Sequence, residues 1–120
     1  MRGLILAVAL LCSAVVQAAS LPTGTTYVVN LSWTAPSSSP DPVAGYFIYR
    51  ALINGPFAQL NQTPIVGIAY VDSGLQYGVT YEYYATSVDA GGNQSVSSNT
   101  VTLPIPFVLN PPVVGTIQGL

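Results

Sequence analysis

The stretch Gly78-Val79-Thr80-Tyr81-Glu82-Tyr83-Tyr84-Ala85-Thr86-Ser87-Val88-Asp89 restricts the fold of this chain more than any other part of it. It alternates. Tyr81, Tyr83, Ala85 and Ser87 fall on one face, and Glu82, Tyr84, Thr86 and Val88 on the other. Aromatic and β-branched residues dominate, and Ala90-Gly91-Gly92-Asn93 closes the run as a turn, so the stretch reads as a strand with one face in a core. Leu75 stands before it, with Gln76-Tyr77-Gly78 between as a corner. A leucine, a corner and a tyrosine opening a long strand is the layout of a tyrosine corner. There the phenol packs inside a β-sandwich and its hydroxyl bonds backbone a few residues upstream.

Other segments have the same character. In residues 27–33, Val29, Leu31 and Trp33 share one face, while Asn30 and Ser32 take the other. Burying Trp33 would remove roughly 150–250 Å² from water, an upper estimate of about 4–6 kcal/mol. Residues 34–42 hold three prolines among serines and read as a loop. In the strand pattern of residues 43–50, Tyr46 and Ile48 face one way and Phe47 and Tyr49 the other. Asn54-Gly55-Pro56 is a turn, residues 57–60 a short edge strand, and residues 68–72 another strand. Residues 95–103 make the last, regular from Asn99 and ended by Pro104 and Pro106. No amphipathic helix is expected after residue 18. Short strands separated by Gly/Pro turns indicate an all-β sandwich or barrel.

The N-terminus reads differently. Met1-Arg2 is a short positive start, residues 3–16 are uncharged and mostly apolar, and Val16-Gln17-Ala18 offers small residues for cleavage. This is a secretory signal-peptide pattern, expected to be helical, with cleavage after Ala18 and Ala19 as the next choice. The apolar run is shorter than the ~20 residues of a spanning helix, so no membrane span is expected once it is removed. Its loss also takes away Cys12, the single cysteine of the chain. The remainder has no Cys, His or Lys, and its charged side chains are Asp41, Arg50, Asp72, Glu82 and Asp89. One cation against four anions leaves no basic surface for nucleic acid. It also gives little repulsion between copies.

From about residue 28 to residue 103 the chain resembles the fibronectin type III domain family. The pieces that carry the likeness are Leu31-Ser32-Trp33 with Pro36, Gly45-Tyr46-Phe47-Ile48-Tyr49-Arg50, and Tyr70-Val71-Asp72 with Leu75. Thr80-Tyr81-Glu82-Tyr83 follows, then Val88-Asp89-Ala90-Gly91-Gly92-Asn93 leading to Ser98-Asn99. Each is weak alone; their order and spacing are specific together. The Gly-Tyr-x-x-Tyr-Arg and Val-Asp-x-x-Gly-Asn pieces look like the bacterial branch, often found in exported proteins. The resemblance implies an immunoglobulin-like sandwich of seven strands. The first, second and fifth would form one sheet, and the third, fourth, sixth and seventh the other. It implies no catalytic site and no cofactor. Members act as spacers and as protein- or polysaccharide-binding modules.

The expected organisation is a signal peptide at 1–18, a lead-in at 19–27 with a short or missing first strand, the domain at 28–103, and an apolar Pro-containing tail at 104–120. A missing first strand would leave an open edge, which invites pairing. There is no Arg-Gly-Asp, so the integrin-type motif is absent.

The structural core is expected at Trp33, Tyr46, Ile48, Tyr70, Leu75, Tyr81 and Tyr83. Outward alternation leaves Phe47, Tyr49 and Tyr84 beside Glu82 as a candidate binding face, suited to sugar rings or a protein partner. The favoured reading of the same cluster is cross-strand pairing that only stabilises the sheet. Residues 37–42 and 89–94 are candidate recognition loops or ordinary turns. Asp89 with Asn93 offers too few oxygens for calcium. Without His or Cys there is neither an ordinary nucleophile triad nor a zinc site, and four scattered carboxylates give no reason to expect a hydrolytic pair. Asn30-Leu31-Ser32, Asn61-Gln62-Thr63 and Asn93-Gln94-Ser95 match the glycosylation pattern, which matters only in a host that reads it.

The expected function is therefore that of a non-catalytic secreted or cell-surface module for adhesion, protein–protein binding or spacing. It would meet a protein or polysaccharide partner outside the cell or in the periplasm. The alternatives are a polysaccharide-binding module using the outward aromatics, and a self-associating subunit using an open edge and the tail.

Overall fold

A computed structural model describes residues 10–21, 24–109 and 115. Among the described residues, seven strands form two antiparallel sheets: β1 (Leu10–Leu21), β2 (Gly24–Thr34), β3 (Gly45–Leu52), β4 (Ala58–Gln59), β5 (Ala69–Asp72), β6 (Thr80–Val88) and β7 (Val101–Pro104). One sheet has the order β1-β2-β5 and the other β4-β3-β6-β7. This is the strand division that the resemblance implied. Among the described residues no helix is long and apolar enough to cross a membrane.

The period-two pattern sorts most side chains as expected, although Thr86 and Val88, read as outward, are buried at the end of β6. Val29, Leu31, Trp33, Tyr46, Ile48, Tyr81, Tyr83 and Ala85 are buried in one core cluster. Trp33 and Tyr46 meet edge to face, ring centroids 5.4 Å apart, the geometry that ring quadrupoles prefer. Tyr70 and Leu75 are only partly buried and pack against this cluster from its margin. The Tyr81 hydroxyl accepts a hydrogen bond from the Gln76 backbone N–H at 3.0 Å, so the tyrosine corner is present.

Three expectations need correction. First, residues 10–21, placed in a leader helix and a lead-in, are strand β1, paired with β2 from Leu10↔Thr34 to Leu21↔Gly24. The first strand is thus neither short nor missing. An apolar run containing the β-branched Val15 and Val16 is compatible with a strand as well as with a leader, since both favour apolar residues. Residues 1–9 of that expected leader lie outside the described residues. Second, the last strand is shorter than residues 95–103. The Ser98 and Ser95 hydroxyls accept from the backbone N–H groups of Ala85 and Ser87, each at 2.9 Å, where a ladder would use carbonyls. Third, the tail does not leave the domain at Pro104. Ile105 is 2% exposed, and its N–H donates to the Val79 carbonyl. Apolar character marked Ile105 as buriable, but its position after Pro104 gave no sign that the core still reached it. The rest of the expected tail, residues 110–114 and 116–120, lies outside the described residues.

Candidate functional site

The register of β3 against β6 sets Tyr49 directly opposite Tyr84. Their rings stack with centroids 4.8 Å apart and planes 21° from parallel. Phe57, in the turn before β4, joins from the other strand connection with its centroid 4.6 Å from Tyr84. Sequence alternation found the first two. Phe57 was missed because the fold of the loop, not strand periodicity, brings it there. Phe47 lies opposite Thr86 on the same face and is half-buried. Glu82, opposite Ala51, accepts from the Asn54 N–H at 3.3 Å.

Polar groups close the strip. Tyr49 donates its hydroxyl proton to Gln94 Oε1 at 2.7 Å, with Gln59 Oε1 at 3.2 Å, and Thr86 donates to the same Gln94 oxygen. Burial, and then the Tyr49 ring beside it, push the Tyr84 phenol above its ordinary ionisation range. The strip is a neutral row of rings with amides at one end and a carboxylate at the other. It can stack and hydrogen-bond, and it holds no nucleophile–base pair.

The remaining charges are used one by one. Asp72 on β5 accepts from Arg50 on β3 at 2.9 Å and from the Tyr83 hydroxyl on β6 at 2.6 Å, tying the two sheets together. Arg50 also lies over the Tyr81 ring, 5.3 Å from its centroid. Asp89 accepts from the N–H groups of Gly91 and Asn93, at 3.0 and 2.8 Å, and so shapes its own turn. Asp41 lines an open pocket of about 410 Å³ with Pro36, Pro42, Tyr46 and Val66. Its Oδ2 is buried without a hydrogen-bond partner among the described residues. Among those residues no three His, Cys, Asp or Glu side chains converge on a metal position.

The loops at 37–42 and 89–94 stand at the same end of the sandwich. Gly45 pairs with Val88, and the Ala44 N–H donates to the Val88 carbonyl. The amide groups of all three sequons are engaged. Asn30 donates to Gln17, Asn61 to the carbonyls of Tyr46 and Thr63, and Asn93 to Asp89.

No family model matches the chain. An amylopullulanase of Thermoanaerobacter thermohydrosulfuricus is 36% identical over 73 residues, 61% of this chain and 5% of that protein. The chain thus corresponds to about a twentieth of that relative's length. Among solved structures, an Fn3-like protein from Clostridium thermocellum superposes with a TM-score of 0.55 at 23% identity, covering 80% of this chain and 93% of that one. A human FNIII domain superposes with a TM-score of 0.63 at 16% identity, covering 93% and 85%.

Proposed function

We propose that this chain, which folds as a fibronectin type III domain, serves as a non-catalytic module of an exported protein, for adhesion, protein–protein binding or spacing. The observation that carries the reading is the self-satisfied surface of the four-stranded sheet. Tyr49 and Tyr84 turn their faces to each other rather than to solvent, and the Tyr49 hydroxyl is paired. Three of the four carboxylates are held in contacts that shape the fold. The leader pattern at residues 1–18 supports export with cleavage after Ala18.

Polysaccharide contact is the second reading. Two observations favour it: three adjoining rings flanked by amides, and the likeness to a stretch of an amylopullulanase. Retention on insoluble starch and on immobilised pullulan separates the two. A spacer is expected to elute with the void. A glycan binder is expected to be retarded, with at least a tenfold loss of affinity in Tyr49→Ala/Tyr84→Ala and in Phe57→Ala chains that keep their far-UV spectra. Reducing ends released from either polysaccharide by the purified chain would refute the non-catalytic assignment.

A further inference from the structure

We propose that β1 is a temporary strand, and that its removal exposes an edge of β2 which pairs with the same edge of a second copy of this chain. The inference rests on the export reading above. Cleavage after Ala18 falls inside β1 and leaves only Ala19, Ser20 and Leu21 opposite Thr26, Thr25 and Gly24. The partners of Tyr27 through Thr34 depart with the leader. On its other side β2 stays paired with β5, from Val29↔Asp72 to Ser32↔Ala69. Processing therefore turns β2 from the middle strand of its sheet into the edge. Val16, which packs against the core, is lost in the same event.

The uncovered stretch lacks the features that blunt natural edges. Residues 23–35 contain no Lys, Arg, Asp, Glu or Pro. The register shift in the β1–β2 ladder lies between Leu11 and Ser13, on the departing strand. By contrast, the other sheet is bounded by β4, two residues long, and β7, four residues long and ending in Pro104. The occupant must be extended, uncharged and antiparallel, as β1 is.

A second β2 meets those terms. About a two-fold axis perpendicular to the sheet, two β2 strands run antiparallel with their inward faces on the same side. Val29, Leu31 and Trp33 of the two copies then continue one apolar row, while Asn30 and Ser32 line the outer face. Such a contact is isologous and closes at two copies. Eight residues at ~3.4 Å each provide a seam of about 27 Å. The processed chain carries one cation against four anions, none of them on β2, so little repulsion opposes the contact. In the folded chain the bond after Ala18 lies within a paired strand, so cleavage requires β1 to come away from β2 around that bond.

The test uses the full-length chain expressed in an exporting bacterial host, with unprocessed and processed forms purified and their N-termini read by mass spectrometry. In analytical ultracentrifugation the processed form is expected at twice the chain mass and the unprocessed form at once. Asn30→Lys in the processed chain is expected to return it to a monomer. The processed chain has no other cysteine, so Asn30→Cys, alone or mixed with Ser32→Cys, is expected to form an intermolecular disulfide. A folded, monomeric processed form overturns the inference, as does a dimer in which neither cysteine cross-links. A processed chain unable to fold overturns it too, because β1 would then be a permanent strand. A chain exported with residues 1–18 intact also overturns the inference, because β1 then stays in place, whereas a chain kept uncut inside the cell defeats the export reading; cell fractionation with the mass spectrum tells the two apart.

Discussion

Tyr81 and Tyr83 stand two residues apart on β6, and their hydroxyls meet different partners. Tyr81 accepts from Gln76, a neighbour along the chain, so its role was legible from the local spacing. Tyr81→Phe removes that bond, and a loss of about 1 kcal/mol is expected. Differential scanning calorimetry should then show a midpoint lower by about 4–8 °C. An unchanged midpoint would refute the corner. Tyr83 donates to Asp72 on the facing sheet, a partner no local pattern reveals. Burial, and then that bond to a carboxylate, hold its proton far above the ordinary range. Burial raises Tyr46 and Tyr84 in the same direction. An unfolded tyrosine ionises near pH ~10, where the folded chain still keeps these protons. Their contribution is complete below that pH and is lost as pH rises beyond it. Urea midpoints are expected to hold from about pH 7 to 9 and to fall above ~10, less steeply for Tyr83→Phe. An identical slope in that variant would remove Tyr83 from the account.

At the scale of elements, the joint between β5 and β6 depends on one glycine. Gly78 has φ +72, and a Cβ there would stand 2.3 Å from Phe107 Cε1. Its N–H also donates to the Ile105 carbonyl at 2.9 Å, so the segment after β7 is laid against the corner. Gly78→Ala therefore combines a left-handed backbone cost of about 1–2 kcal/mol with a steric clash. Phe107 is 76% exposed, so Phe107→Ala should cost little. In the double variant the clash is relieved and a deficit of about 1 kcal/mol remains, measurable by urea unfolding. A double variant no more stable than Gly78→Ala would show that the ring is not the obstacle. The sequence marked residues 76–78 as a corner. It did not reveal that Phe107 closes over that corner, because the approach is set by a segment almost thirty positions later.

For the whole molecule, the contact between sheets combines an apolar core with a polar tie at Asp72. Asp72 belongs to the three-stranded sheet, while Arg50 and Tyr83 belong to the four-stranded one. Asp72 is 6% exposed, so truncating it strands two donors that face it. Asp72→Ala is expected to cost about 3 kcal/mol, and the Arg50→Ala/Asp72→Ala cycle to show about 1–3 kcal/mol of coupling. Zero coupling in urea unfolding would mean that the Arg50–Asp72 pair does not help to join the sheets.

Two local properties carried most of the architecture. Alternation at period two marked which side chains of β2, β3 and β6 point inward, because successive residues on a strand must face opposite ways. Turn residues marked where strands stop. Meetings between distant segments were beyond that reach: Phe57 joining Tyr49 and Tyr84, Ile105 entering the core, Asp72 finding Arg50, and residues 10–21 lying along β2. Each depends on loop path and strand register, which place residues far apart in sequence within a few ångströms. Neither periodicity nor composition encodes those distances.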